Sequence, residues 1–200
     1  MRPSPIDSAE ALGTFLRERA SLIAQKCAVD YVRGKTGVAS HALFTEATFL
    51  AALDVCRWES FATVLGDLTL MAEGHLRAHV APERRERLRT ALRAMYADTL
   101  AGFPLPVHRP EGWGDAIEAF DARLDTAGQS TPRRAMDVAD HSAKRLFDTL
   151  PIHLNYRKLD EEPVYGSVRF RMVAVGQEME RRLRAAPVAG ELVERQLTTL

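Results

Sequence analysis

The stretch from Thr45 to Val80 (TEATFLAALDVCRWESFATVLGDLTLMAEGHLRAHV) constrains the fold more than any other part of the chain. It runs for 36 residues without a proline, and it is rich in large apolar side chains. The spacing of those side chains decides what the stretch becomes. Plotted at 100° per residue, Leu50, Leu53, Phe61, Val64, Leu68, Met71 and Leu76 gather on one broad stripe, with Trp58 and Leu65 along its edge. A strand would require alternation, which is absent. Thr48, Glu59, Thr63, Gly66, Asp67, Thr69, Glu73 and Arg77 take the other side. The small residues Ala52, Cys56, Ser60, Ala62 and Gly74 stand among them, leaving room there for a close neighbour. The reading is a helix around which the other segments pack.

Size predicts a bend or break in it. A continuous helix of this length would span about 54 Å at about 1.5 Å per residue. A globule formed by 200 residues is nearer to about 40 Å across. Gly66–Asp67 and Arg57–Trp58 are the places where an interruption is expected.

The flanking segments carry helical patterns of their own. Residues 1–6 read as a loose tail, and Asp7 with Glu10 fits a capping box. Leu12, Leu16, Ile23 and Cys27 then line one face of a helix ending near Gly34, with Arg19 and Asp30 at its margin. GKTGVASHA (34–42) reads as a linker. Its Gly34-Lys35-Thr36 resembles the end of a phosphate-binding loop, but Val29 stands where the first glycine is required and no strand precedes it. Pro82 suits a helix start, and Leu88, Leu92 and Met95 form the inner face of the helix that follows. FPLPVHRPEGWG (103–114) is a proline-stiffened connector. Trp113, Ile117, Phe120 and Leu124 share the next helical face, with Gly128 at its C-cap. Ser130-Thr131-Pro132 opens a further helix with Met136, Ala143, Phe147 and Leu150 inward, which Pro151 ends. After the connector at 151–163, Val164, Val168, Met172, Val175, Met179 and Leu183 recur at helical spacing, although 168–172 also alternates as a strand would. Pro187 and Gly190 set off a short C-terminal helix. The expected fold is all-α: one multi-helix, bundle-like domain of six to eight helices spanning residues 1–200.

Charge and cysteine usage narrow the function classes. The chain has 27 acidic and 27 basic residues, hence a formal net charge of zero, so no global field steers it to nucleic acid or an anionic membrane. Arginines at 84, 85, 87, 89 and 93 point in nearly every direction and alternate with Glu83 and Glu86, unlike the coherent basic stripe of a nucleic-acid binder. No run of 18 apolar residues offers a membrane span, and no apolar segment follows Met1–Pro5 as a secretory signal requires. Cys27 and Cys56 lack metal-site spacing, and a cytoplasmic protein with reduced thiols is expected.

No catalytic motif is present: no Gly-x-Ser-x-Gly, Gly-x-Gly-x-x-Gly, Cys-x-x-Cys or His-Glu-x-x-His. The histidines and inward polar residues are therefore the candidates. His75 and His79 stand four apart, a spacing at which two imidazoles share a metal on one helix, with Glu73 nearby. The Glu-x-x-His element of di-iron bundles is missing, so a metal site is not expected and these three are only its weak candidates. His75 projects onto the apolar stripe beside Met71 and Leu68, so the polar wall of any ligand pocket should include it. Arg57 also projects onto the stripe, where it would clasp a carboxylate. Asp67 lies in an apolar context that would raise its pKa. His75, Arg57 and Asp67 are thus the pocket candidates, while His141 falls on a polar face with Asp137, Lys144 and Asp148. Two function classes follow. One is an accessory or regulatory module that binds a protein partner or itself, through an apolar seam such as 164–183. The other is a helical-bundle enzyme or carrier of a small molecule or metal cofactor, its identity unknown, sited near His75, Arg57 and Asp67.

Overall fold

The computed structural model describes residues 4–195, and the chain is all-α. In order the helices are α1 (Ala9–Thr36), α2 (Ser40–Leu43), α3 (Ala47–Arg77), α4 (Arg85–Ala101), α5 (Gly114–Gly128), α6 (Ala135–Val138), α7 (Asp140–Thr149), α8 (Leu154–Arg157), α9 (Glu161–Arg182) and α10 (Ala185–Arg195). Three of these, α2, α6 and α8, are single turns, and the longer ones build the bundle-like body. Among the described residues the only β-type contact is an isolated bridge between Ile6 and Leu183. No described helix is long and apolar enough to cross a membrane.

Helix α3 is the axis of the fold. It packs against α1, α4, α5, α6, α7, α9 and α10, so helices from both halves of the chain cover it. Phe61, Val64, Leu68 and Met71 are buried. The expected interruption does not occur: α3 is continuous for 31 residues, about 46 Å at the ordinary rise. Two features reconcile this with the size of the molecule. Its first turns are covered on one side only, since Thr48, Leu50, Ala51 and Ala52 are exposed while Phe49 and Leu53 are buried. Gly66, expected at a break, instead admits a neighbour: a Cβ there would come within 3.2 Å of the Phe120 ring. Close packing, not a bend, explains that glycine.

The face of α3 that the sequence marked as polar is also inside. Glu59, Asp67, Thr69, Glu73 and Arg77 are all buried, because α4, α5 and α7 pack where solvent was expected. Thr69 satisfies its hydroxyl locally by donating to the Leu65 carbonyl at 2.7 Å. The charged residues require partners from elsewhere, and those partners form the polar clusters described below.

Several boundaries differ from the sequence reading. The N-terminus is not a loose tail from residue 4 onward: Ile6 is buried, donates its N–H to the Arg182 carbonyl at 2.9 Å and accepts from Arg184 N–H at 2.8 Å. Residues 1–3 lie outside the described range. Ser8, not Asp7, caps α1, accepting from Ala11 N–H at 3.1 Å. The expected linker at 34–42 is largely helical, with α1 running to Thr36 and turning at Gly37, whose φ is +54°. Helix α9 runs through 168–172, so the strand alternative fails there, and the break before α10 falls at Leu183–Arg184 while Pro187 and Gly190 lie within α10. Met136 is exposed rather than inward because α6 is only one turn, starting at Ala135 well after Pro132.

The seam Val164, Val168, Met172, Val175, Met179 and Leu183 is buried within this chain, against α1, α6 and α7 among others. Its margins are tied by ion pairs: Arg19 makes a bidentate contact with Glu178 at 2.8 and 2.7 Å, and Arg171 reaches Asp30 at 2.9 Å. Arg157, buried beside the end of α7, closes that helix by donating to the Phe147, Asp148 and Ile152 carbonyls.

Candidate functional site

Three carboxylates on α3 organise the polar interior: Glu59, Asp67 and Glu73. Glu59 is the most heavily paired. Arg109 donates to it through Nε at 2.6 Å and Nη2 at 2.8 Å, and Arg145 through Nε at 3.1 Å and Nη2. His108 adds its Nε2–H at 2.9 Å. Arg109 also pairs with Asp115 and lies over the Trp113 ring, 4.5 Å from its centroid. Burial alone would raise the Glu59 pKa, but the hydrogen bonds from Arg109, Arg145 and His108 outweigh it and hold the carboxyl at about 2. Planar guanidinium forks suit this bidentate geometry.

Asp67 is completely buried. It accepts from Arg123 Nη2 and from the Ser142 backbone N–H at 3.1 Å. Burial raises its pKa, and Arg123 and Ser142 offset only part of that. Arg123 Nη1 stands 2.9 Å from His141 Nδ1. A guanidinium only donates, so Nδ1 accepts and the neutral imidazole carries its hydrogen on Nε2. Burial, then the charges of Arg123 and Arg145, push the His141 pKa down to about 4. His141 is exposed as expected, with 47% of its side chain open, and its ring also borders a cleft of about 250 Å³ between α3, α5 and α7, lined by Glu59, Tyr96, Arg109, Arg123 and Arg145.

The larger cavity lies toward the C-terminal end of α3 and measures about 810 Å³. Leu70, Met71, Ala122, Val138 and Val173 give it apolar walls, and α5, α9 and the segment 130–136 complete it. Small residues let its walls come together. A Cβ on Gly176 would approach Met71 Cε to 2.7 Å, and one on Gly74 would approach Pro132 Cβ to 3.0 Å, so the surrounding elements close tightly at these points. Glu73, His75, Arg77 and Arg123 supply polar groups to the wall. Arg77, buried, donates through Nη1 to the Ala127 and Gly128 carbonyls, both at 2.9 Å, and thereby fixes the end of α5.

The structure separates the residues that the sequence suggested as one site. His75 is half-buried and lines the large cavity. Arg57 does not: it lies far toward the opposite end of α3, partly exposed, and pairs with Asp54 at 2.9 Å. It departs from the apolar stripe because its long side chain turns back along the helix to an i−3 carboxylate at the protein edge. Asp67 neighbours neither of them in a shared pocket, being sealed beneath Arg123 and Ser142. His79 is exposed beyond the end of α3, away from the wall where Glu73 lies. Among the described residues no group of three or more His, Cys, Asp or Glu side chains is placed to hold a metal.

The residues missed by sequence reasoning are mostly the partners. Arg109 and His108 sit in the proline-rich connector, and Arg123, Arg145 and Pro132 lie 50 or more residues from the α3 groups they meet. No local spacing announces such pairs. One signal was available: three acidic residues among small ones on a helix this apolar imply covered carboxylates, and covered carboxylates require cations.

The chain matches no protein-family model, and comparison with curated proteins and with solved structures gives no match either.

Proposed function

We propose that this chain binds a small organic molecule of largely apolar surface in the cavity between α3, α5 and α9. The observation that carries the reading is the cavity itself: about 810 Å³, within the range of small-molecule sites, with a mainly apolar surface on which charged groups, Arg133 and Arg134 among them, also open. Helical bundles hold ligands between facing helices in this manner. Leu70, Met71, Val138 and Val173 would contact the body of the ligand, with His75 and Glu73 fixing its orientation. The competing reading, a protein partner or second copy docked on the 164–183 seam, loses its main support because that seam is covered within the chain.

Fluorescence titration with 2-methoxynaphthalene, an apolar bicycle, tests this. Saturable binding at one site is expected, together with a raised melting temperature. Val173→Trp, which fills the cavity from α9, should abolish both, whereas Val38→Trp at a fully exposed position should change neither. Absence of saturable binding up to the solubility of the probe, or equal binding by Val173→Trp, would overturn the proposal.

A further inference from the structure

Glu73 differs from the other two α3 carboxylates in how little the protein gives it. Its side chain is 2% exposed, yet no described residue donates a hydrogen bond to it. Its one close partner is Arg77, whose Nε stands 3.4 Å away in an ion pair. Glu59, by contrast, receives donors from Arg109, Arg145 and His108, and Asp67 from Arg123 and Ser142. Buried carboxylates are nearly always hydrogen-bonded, because leaving one unsatisfied carries the full cost of desolvation. Arg77 is poorly placed to do more, since its Nη1 is committed to the carbonyls that end α5. The under-satisfied carboxylate lines the large cavity.

We infer that the ligand of this cavity carries a neutral hydroxyl or amide N–H group that donates a hydrogen bond to Glu73. The inference rests on the reading of the cavity as a binding site. Electrostatics selects the neutral donor. The guanidiniums of Arg77, Arg89 and Arg85 all act on Glu73, so a ligand ammonium beside it would meet three cations. A ligand carboxylate beside Glu73 would meet like charge, and one drawn instead to Arg133 or Arg134 on the same lining would leave Glu73 without a donor. A hydroxyl satisfies the acceptor and adds no charge to a buried site. The same deficit shows in Glu73, where burial raises the pKa despite the three arginines.

The test compares four naphthalenes that share one apolar body: 2-naphthol, 2-methoxynaphthalene, 2-naphthylmethylammonium and 2-naphthoate. At pH 7, 2-naphthol should bind about tenfold more tightly than its methyl ether, the advantage of a hydrogen bond to a charged acceptor. The ammonium and the carboxylate should bind no better than the ether. In Glu73→Met the ether should bind as before and the naphthol advantage should fall to about one. Equal affinities of naphthol and ether in the unmodified protein would overturn the inference, and so would an advantage that survives in Glu73→Met. Tightest binding by the ammonium would also overturn it. If Glu73→Met does not fold, the naphthol-to-ether ratio in the unmodified protein still decides. Binding of the ether with a ratio of one removes only the donor inference; absence of binding by all four removes the cavity reading as well.

Discussion

Replacing Glu59 by Gln should cost stability in a pH-dependent manner whose shape follows from the cluster around it. The substitution keeps the side-chain volume and removes the charge that Arg109, Arg145 and His108 surround. In the folded chain the Glu59 carboxyl is held at about 2, against an ordinary value of 4.5. A depressed carboxylate pKa stabilises the fold above the unfolded value, and that stabilisation is lost as pH falls through the folded one. At about 1.36 kcal/mol per pKa unit, the contribution is about 3 kcal/mol at pH 7. It should fall to about 1.5 kcal/mol near pH 3 and vanish below pH 2. Partial exposure of Arg145 screens one side of the cluster and makes these figures upper values. Asp67 contributes with the opposite sign, because its pKa is raised and its protonation favours the fold as pH falls. Measuring the difference between Glu59→Gln and the unmodified protein cancels that contribution. Urea unfolding at pH 7, 5, 4 and 3, with unchanged m values, supplies the measurement. A destabilisation below about 0.5 kcal/mol at pH 7, or one independent of pH, would refute the argument.

Leu68→Ala should destabilise by about 2–5 kcal/mol in the same unfolding assay, since Leu68 is fully buried at the centre of α3 where several helices limit collapse of the void. The His141 ring should stay neutral through pH 5 and titrate near 4 when followed by proton NMR, with its hydrogen on Nε2. Because its folded pKa is lowered, the unfolded chain takes up the proton first, so this residue makes stability fall as pH drops from about 6.5 to about 4; titration at an ordinary histidine value would contradict the Arg123 contact.

The all-α class and the segments that become helices were legible in the sequence because both depend on local periodicity. Leu88 with Leu92, Phe120 with Leu124, and Val164 through Met179 are placed inward by their spacing alone, and each is buried. The apolar stripe of α3 was equally plain. Its second face was not, since whether Glu59, Asp67 and Glu73 meet water or protein depends on where α4, α5 and α7 come to rest. The same limit explains the break expected in α3: a length argument assumes a sphere that covers the whole helix, whereas the packed chain leaves one side of its first turns uncovered. His75 could be named because its position on the stripe is a property of one helix. The cavity beside it could not, because its walls come from α5, α9 and the 130–136 segment, and are drawn together where Gly74 meets Pro132 and Gly176 meets Met71. Spacing along the chain fixes which side of a helix a residue occupies. Only the packing of distant segments fixes what that side faces, and the dielectric, partners and pKa of every buried charge here follow from the latter.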